Sequence, residues 1–161
     1  MNLLTDALGF EQWLAVLRIG LGLWWIKSVF HKDLRKFVSG GMINWSLSLA
    51  ENHPVPALGN AFKGMLSATA GWVPYFQVFG EFAAGVGLTL GFLTPISALV
   101  AIFMNLNFIA LAGVKPRNVE VNPCFRVEQG QNWTMIVGEL VVLATGAGAV
   151  WSLDRVLGLF V

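Results

Sequence analysis

Two carboxylates, two amides and two cations stand in stretches of this chain that are otherwise apolar, and chemistry is read from them first. Glu81 lies in GEFAAGVGLTLGFLTP, Asn105 and Asn107 in FMNLNFIALAG, and Glu139 in WTMIVGELVVLATGAGA. Arg18 and Lys27 lie in WLAVLRIGLGLWWIKSVF. In a dry interior a carboxyl can deliver protons and a fixed cation can stabilise a developing anion. Burying a charge at a bilayer centre costs at least ~2.5 kcal/mol on the most lenient scale. Such groups must therefore face inward and pair, or become neutral. Bland alternatives exist for each. Arg18 and Lys27 can snorkel to an interface, the asparagines can bridge helices, and Glu81 can sit in a purely structural ion pair.

The elements that would position these residues are four apolar runs, over 13–30, 73–93, 96–112 and 133–151. Each approaches the ~20 residues that cross a hydrocarbon core ~30 Å thick. Runs two and three are joined only by Thr94-Pro95, which suits a tight transmembrane hairpin. Gly80, Ala83, Ala84, Gly87 and Gly91 give the second run a small-residue stripe for close helix approach. A rise of ~1.5 Å per residue puts Glu81 ~18 Å from the outer face, Asn105 and Asn107 at ~15–18 Å, and Glu139 at ~20 Å. Arg18 at ~8 Å and Lys27 at ~21 Å bracket this layer. Glu81 becomes the expected functional centre, Arg18 its main partner and Lys27 the competing one.

Residues 31–72 are too polar to cross but contain amphipathic pieces. Ile43, Leu47 and Ala50, then Leu58, Phe62 and Met65, recur at helical spacing. Interfacial helices lying on the bilayer, or helices packed on the protein itself, both fit this pattern. Four spans put both termini on one side. The opposite loops hold Lys27, Lys32, Arg35, Lys36, Lys63, Lys115, Arg117 and Arg126, against Arg155 on the terminal side. The Lys/Arg bias makes those loops cytoplasmic and both termini external to the plasma membrane.

Composition agrees with a single integral membrane domain over 1–161. The chain is 56% hydrophobic and only 12% charged, with a mean hydropathy of +0.68; soluble domains average ~25% charged. A net charge of +1 lacks the clustered basic face that nucleic acid requires. Cys124 is the only cysteine, so there is no intrachain disulfide, CxxC pair or haem attachment motif. His31, His53 and Cys124 are scattered, and no metal site is expected. Gly20-Leu-Gly22 and Gly85-Val-Gly87 lack the setting of a nucleotide fingerprint. The acidic start MNLLTDALGFEQ lacks the basic region of a secretory signal, so the first run is expected to be retained.

Arg18 and Lys27, Glu81 ahead of GLTLGFLTP, then MNLNFIALAG, Asn122-Pro123 and WSLDRVLG resemble the DoxX/DoxD family of small four-helix membrane proteins. The closest likeness is to the DoxD-type subunits of thiosulfate:quinone oxidoreductases. Pro95 stands where the broader group often has Arg, which favours the DoxD-like branch. The resemblance implies oxidation of a sulfur compound such as thiosulfate, with membrane quinone as co-substrate and a second, smaller redox subunit as partner. On that reading Glu81 and Arg18 are catalytic, and Lys27, Asn105, Asn107 and Glu139 bind substrate or quinone. A non-catalytic membrane anchor, or a sulfur-anion conduit that works as a homo-oligomer, are the alternatives. Membrane lipid is a partner under all three.

Overall fold

The computed structural model describes residues 8–160. Positions 1–7 and 161 lie outside them, and so do the expected sidedness of both termini and most of the acidic N-terminal stretch. The order of elements is α1 (Phe10–Phe30), a single turn α2 (Leu34–Lys36), a π-type turn over Phe37–Gly41, α3 (Met42–Glu51) and α4 (Pro56–Thr69). There follow α5 (Val73–Leu90), α6 (Thr94–Leu111), a short 3₁₀ turn at Val119–Val121, α7 (Phe125–Thr145) and α8 (Leu153–Leu157). No strand occurs among the described residues, and the fold is all-α.

Four long helices close a ring in which α1 packs on α5 and α7, and α6 packs on the same two. Two of them, α1 and α6, are long and apolar enough to cross a membrane. Gln77 and Glu81 interrupt α5, and α7 opens on the polar FRVEQGQN. The core of the ring is built from Leu21, Trp25, Ala84, Leu88, Ala101 and Val142. At the crossing of α1 and α5 both helices present glycine. A Cβ on Gly22 would lie 2.7 Å from Gly85 O, and one on Gly85 would lie 2.9 Å from the Ile26 nitrogen. Gly87, from the expected small-residue stripe, faces Ser97 of α6 instead.

Two boundaries differ from the sequence reading. The hairpin turns before Thr94-Pro95: Gly91 ends α5 at φ 63°, Leu93 follows at φ 48°, and Thr94 opens α6. Pro95 fits that first turn because the N–H it lacks would have no intrahelical partner there. The fourth run, expected over 133–151, is helical from Phe125 to Thr145. Gly146 stops it at φ 62°, and the small residues after it fold back across the helix ends.

Helices α3 and α4 form a hairpin over one end of the ring. Gly59 sits against the last turn of α3, where a Cβ would be 3.0 Å from His53 Cβ. The inward face of α4 is Gly59, Phe62 and Leu66; Leu58 and Met65, expected on it, stay about half exposed. His53 fixes the hairpin to the ring. Its Nε2 lies 3.0 Å from Ala110 O, and its Nδ1 accepts from Val55 N–H at 3.1 Å. The loop after α6 adds a second fastening, as Arg117 N donates to Asn52 O at 2.7 Å. Between the two cover helices, Lys63 lies 2.7 Å from Glu51. That hydrogen bond and its charge hold the Glu51 carboxyl below the usual carboxylate range.

Candidate functional site

A cavity of about 560 Å³ opens between the ring and its α3–α4 cover. Most of its wall is aromatic or aliphatic, including Trp24, Trp45, Phe62, Phe76 and Phe108. Polar groups enter from every long helix: Ser28 from the end of α1, with Lys32 from the bend after it, Gln77 and Glu81 from α5, Asn105 and Asn107 from α6, and Glu128 and Asn132 from α7. An apolar enclosure with a few convergent polar groups is the usual form of a small-molecule site.

Glu81 is enclosed, and its cation is Lys32. Lys32 Nζ contacts Glu81 Oε2 and also lies 2.9 Å from Ser28 Oγ and 3.2 Å from Ser28 O. Ser28 Oγ donates to the same carboxylate oxygen at 3.0 Å, and Gln77 Nε2 donates to the other at 3.1 Å. The local chain explains the cluster: Lys32 stands in the bend just past the end of α1, four residues after Ser28, and Gln77 and Glu81 are one turn apart on α5.

The expected pairing of Glu81 with Arg18 or Lys27 is therefore corrected. Lys27 is exposed on the outer surface of α1, its ammonium 5.1 Å from the Trp24 ring centre, and it does not reach the cavity. Arg18 is buried some fourteen residues earlier on α1, which is about 20 Å along a helix. There its guanidinium donates to Leu88 O at 2.7 Å, Ala147 O at 3.0 Å, Val150 O at 3.2 Å and Trp151 O at 2.7 Å. These carbonyls belong to the last turn of α5 and to the segment after α7. A cation suits the negative end of a helix. Asp154 completes this end of the ring by accepting from Leu93 N at 2.7 Å and Thr94 N at 2.8 Å, at the positive start of α6.

Glu139 is wholly buried, and no cation among the described residues pairs with it. Trp25 Nε1 donates to it at 2.8 Å, and Asn105 Nδ2 lies 3.0 Å from each carboxylate oxygen. It stands behind Trp25 and Asn105, both of which line the cavity. Asn107 also lines it, with Nδ2 turned back to Phe103 O at 2.7 Å. So Glu81, Asn105, Asn107 and Glu139 are gathered around one cavity, while Arg18 and Lys27 are not.

No family model, curated protein or solved structure matches this chain.

The residues that sequence reading passed over are Lys32, Ser28, Gln77 and Trp25. Lys32 reads in the sequence only as a flanking cation, because it lies past the end of α1, where helical periodicity no longer says which way it turns. Trp25 carried a weaker signal, since nothing in the pair Trp24-Trp25 says which ring turns inward. Trp25 is 3% exposed and Trp24 41%.

Proposed function

We propose that this chain is an integral membrane subunit of a quinone-linked oxidoreductase, with the cavity under α3 and α4 as its quinone site. On this reading α1, α5, α6 and α7 are four membrane spans, the α3–α4 end is cytoplasmic and both termini are external. The distribution of polarity supports membrane residence. Arg18, Glu81, Asn105, Glu139 and Asp154 are buried, while Phe79, Phe103 and Val137 face outward. Soluble monomers rarely expose broad apolar faces, whereas intramembrane charges turn inward. Lysines and arginines gather at the α3–α4 end, as cytoplasmic loops do.

The observation that carries the functional reading is the Lys32–Ser28–Glu81 chain on the wall of a large apolar cavity. Reduction of a quinone takes up two electrons and two protons. Glu81 sits where it can pass a proton to a bound quinone oxygen, and Lys32, which is partly exposed, can replace it from the cavity mouth. Electrons come from a sulfur compound such as thiosulfate, through a second, smaller redox subunit. This matches what the DoxX/DoxD resemblance implies. Arg18 is a structural residue here, and Lys27 has no part in the site.

Thiosulfate-dependent quinone reduction in membranes carrying the chain and its partner tests the reading. The wild type should sustain a rate that Glu81→Gln abolishes at equal folded protein. If membranes lacking the chain reduce quinone equally fast, the reading falls. The anchor alternative gains support if a redox protein copurifies with the chain while Glu81→Gln retains full activity. A sulfur-anion conduit has less support, because Arg18 and its carbonyl partners fill the end of the ring opposite the cavity.

A further inference from the structure

The cavity has two rims of opposite character, on facing seams of the ring. One is polar: Lys32 stands in the bend after α1, and Glu128 and Gln131 stand in the first turns of α7. The other is apolar: Phe76 comes from α5, and Val100 and Phe103 come from α6. Because α1 packs on α5 and α7, and α6 packs on the same two, the α1–α7 seam and the α5–α6 seam lie across the ring from each other. We propose that the apolar rim is a portal opening sideways into the bilayer. The ligand is then a quinone with a long hydrocarbon tail, its ring inside and its tail in the α5–α6 seam. This rests on the quinone reading above and narrows its substrate to one drawn from lipid rather than from water.

A side chain that lines a cavity and is also outer surface marks where the cavity meets the outside. Phe103, 66% exposed, and Phe76, 64% exposed, are the most exposed apolar side chains in this wall. Val100 stands one turn before Phe103 and is exposed too, so the rim continues along α6 toward the hairpin turn. Gly80 stands about 10 Å along α5 from its cover end, at hydrocarbon depth on the membrane reading.

Helix packing explains why this seam can part. At the crossing of α1 and α5 backbone meets backbone, and nearer the hairpin turn Gly87 is closed against Ser97. Gly80 differs. A Cβ there would lie 3.2 Å from Met104 Sδ, and beyond its own helix the only atoms within 4 Å belong to the Met104 side chain. Backbone cannot yield, but an unbranched thioether turns aside easily. Since Gly80 and Glu81 are neighbours, α5 presents the loosely closed seam and the buried carboxylate at the same level.

Separate routes suit the chemistry. Protons come from water and reach Glu81 through Lys32 on the polar rim, while a lipid-soluble quinone arrives by the opposite seam. The tail adds reach more than affinity, because hydrocarbon gains little by leaving lipid for an apolar seam. Filling the seam should therefore act selectively on quinones that carry a tail.

The test is photolabelling of the wild-type chain, purified and reconstituted in lipid nanodiscs. The probe is a benzoquinone with a ten-carbon tail that carries a diazirine midway along it. Adducts are mapped by mass spectrometry, with and without an excess of the same quinone lacking the diazirine. Labels that the competitor removes should fall on α5 and α6, around Phe76, Gly80, Val100 and Phe103. Competed labels confined to the cover, or to α1 and α7, overturn the inference and leave the quinone reading standing. If no label is competed anywhere, the quinone reading fails and takes the inference with it. A second arm puts a branched side chain into the seam with Gly80→Leu. Binding is followed by quenching of tryptophan fluorescence, since Trp24, Trp25 and Trp45 line the cavity. Affinity for the tailed quinone should fall at least ~10-fold more than affinity for the same ring without a tail, as overfilling a packed seam costs. Equal losses for both ligands in a folded variant overturn the portal. The labelling needs no variant, so it decides even if Gly80→Leu does not fold.

Discussion

Lys32 and Glu81 form an ion pair of unequal enclosure, the lysine side chain retaining 19% of its accessible surface and the glutamate 1%. The carboxylate is fixed inside, and the cation joins it to the mouth of the cavity. Removing the lysine leaves a buried charge held only by Ser28 and Gln77. Removing the carboxylate leaves a lysine that can relax outward.

Lys32→Met should therefore destabilise the folded chain by ~3–5 kcal/mol, the range for breaking a buried pair from one side. Glu81→Gln should cost much less. The double variant should regain most of the stability but none of the quinone-reduction rate. Thermal melts of the chain in detergent, paired with turnover assays, separate the two effects. If the double variant is fully active, Glu81 is only a counter-charge.

Arg18 makes a contrasting prediction. Its flat fork reaches carbonyls on two sides at once, which a single ammonium cannot do. Arg18→Lys should lower stability by ~2–4 kcal/mol, since hydrogen bonds to charged groups contribute ~1.5–3 kcal/mol each. Turnover per folded molecule should stay near that of the wild type. A large fall in turnover at unchanged stability would give Arg18 the catalytic role that the family resemblance implies.

Asp154→Asn should cost ~1–2 kcal/mol, because it weakens two hydrogen bonds at a helix start and removes the matching negative charge. Hydrogen exchange should rise first at Leu93 and Thr94, the residues whose N–H groups it holds. Equal protection at those two amides in wild type and variant would count against this role.

Replacing His53 with leucine removes the hydrogen bond to Ala110 and should loosen the cover without disturbing the ring. Faster exchange in α3 and α4, with α1 and α5 unchanged, is the expected pattern. Exchange that rises evenly throughout would mean that cover and ring are one cooperative unit.

The link between Lys63 and Glu51 sets a small pH dependence of the same cover. The folded-state pKa of Glu51 is depressed, so its contribution is present above the unfolded pKa and is lost as pH falls through the folded value. Both side chains are about half exposed, and such pairs contribute little. Acidification should loosen α3 against α4 only slightly, and Lys63→Met should remove that acid sensitivity. Exchange in the two helices, followed from neutral to acidic pH in both proteins, checks it.

Much of this arrangement was legible in the residues because polar groups in apolar runs have few places to go. Glu81, Asn105, Asn107 and Glu139 were readable as one layer from helical rise alone. The partners were not. Rise gives depth but not azimuth, so it could not tell that Lys27 points outward while Lys32, just over a turn later, turns in. Nor does it reach into irregular backbone. The carbonyls that hold Arg18 come from the bend after Gly146, and no periodicity announces a bend. The α4 face was off by one position for a related reason: Leu58 and Gly59 are neighbours, and close packing against α3 selected the residue with no side chain.

The Arg18 junction also bears on how the chain is made. Its acceptors lie 129 to 133 residues downstream at Ala147, Val150 and Trp151, and the Asp154 clasp on the α5–α6 turn is later still. On the membrane reading proposed above, the first helix enters the bilayer with a guanidinium most of whose final partners are made 129 or more residues later. On that reading the helix stays near water or an insertase until the segment after α7 has been made, and emergence of the fourth helix alone does not lock the bundle.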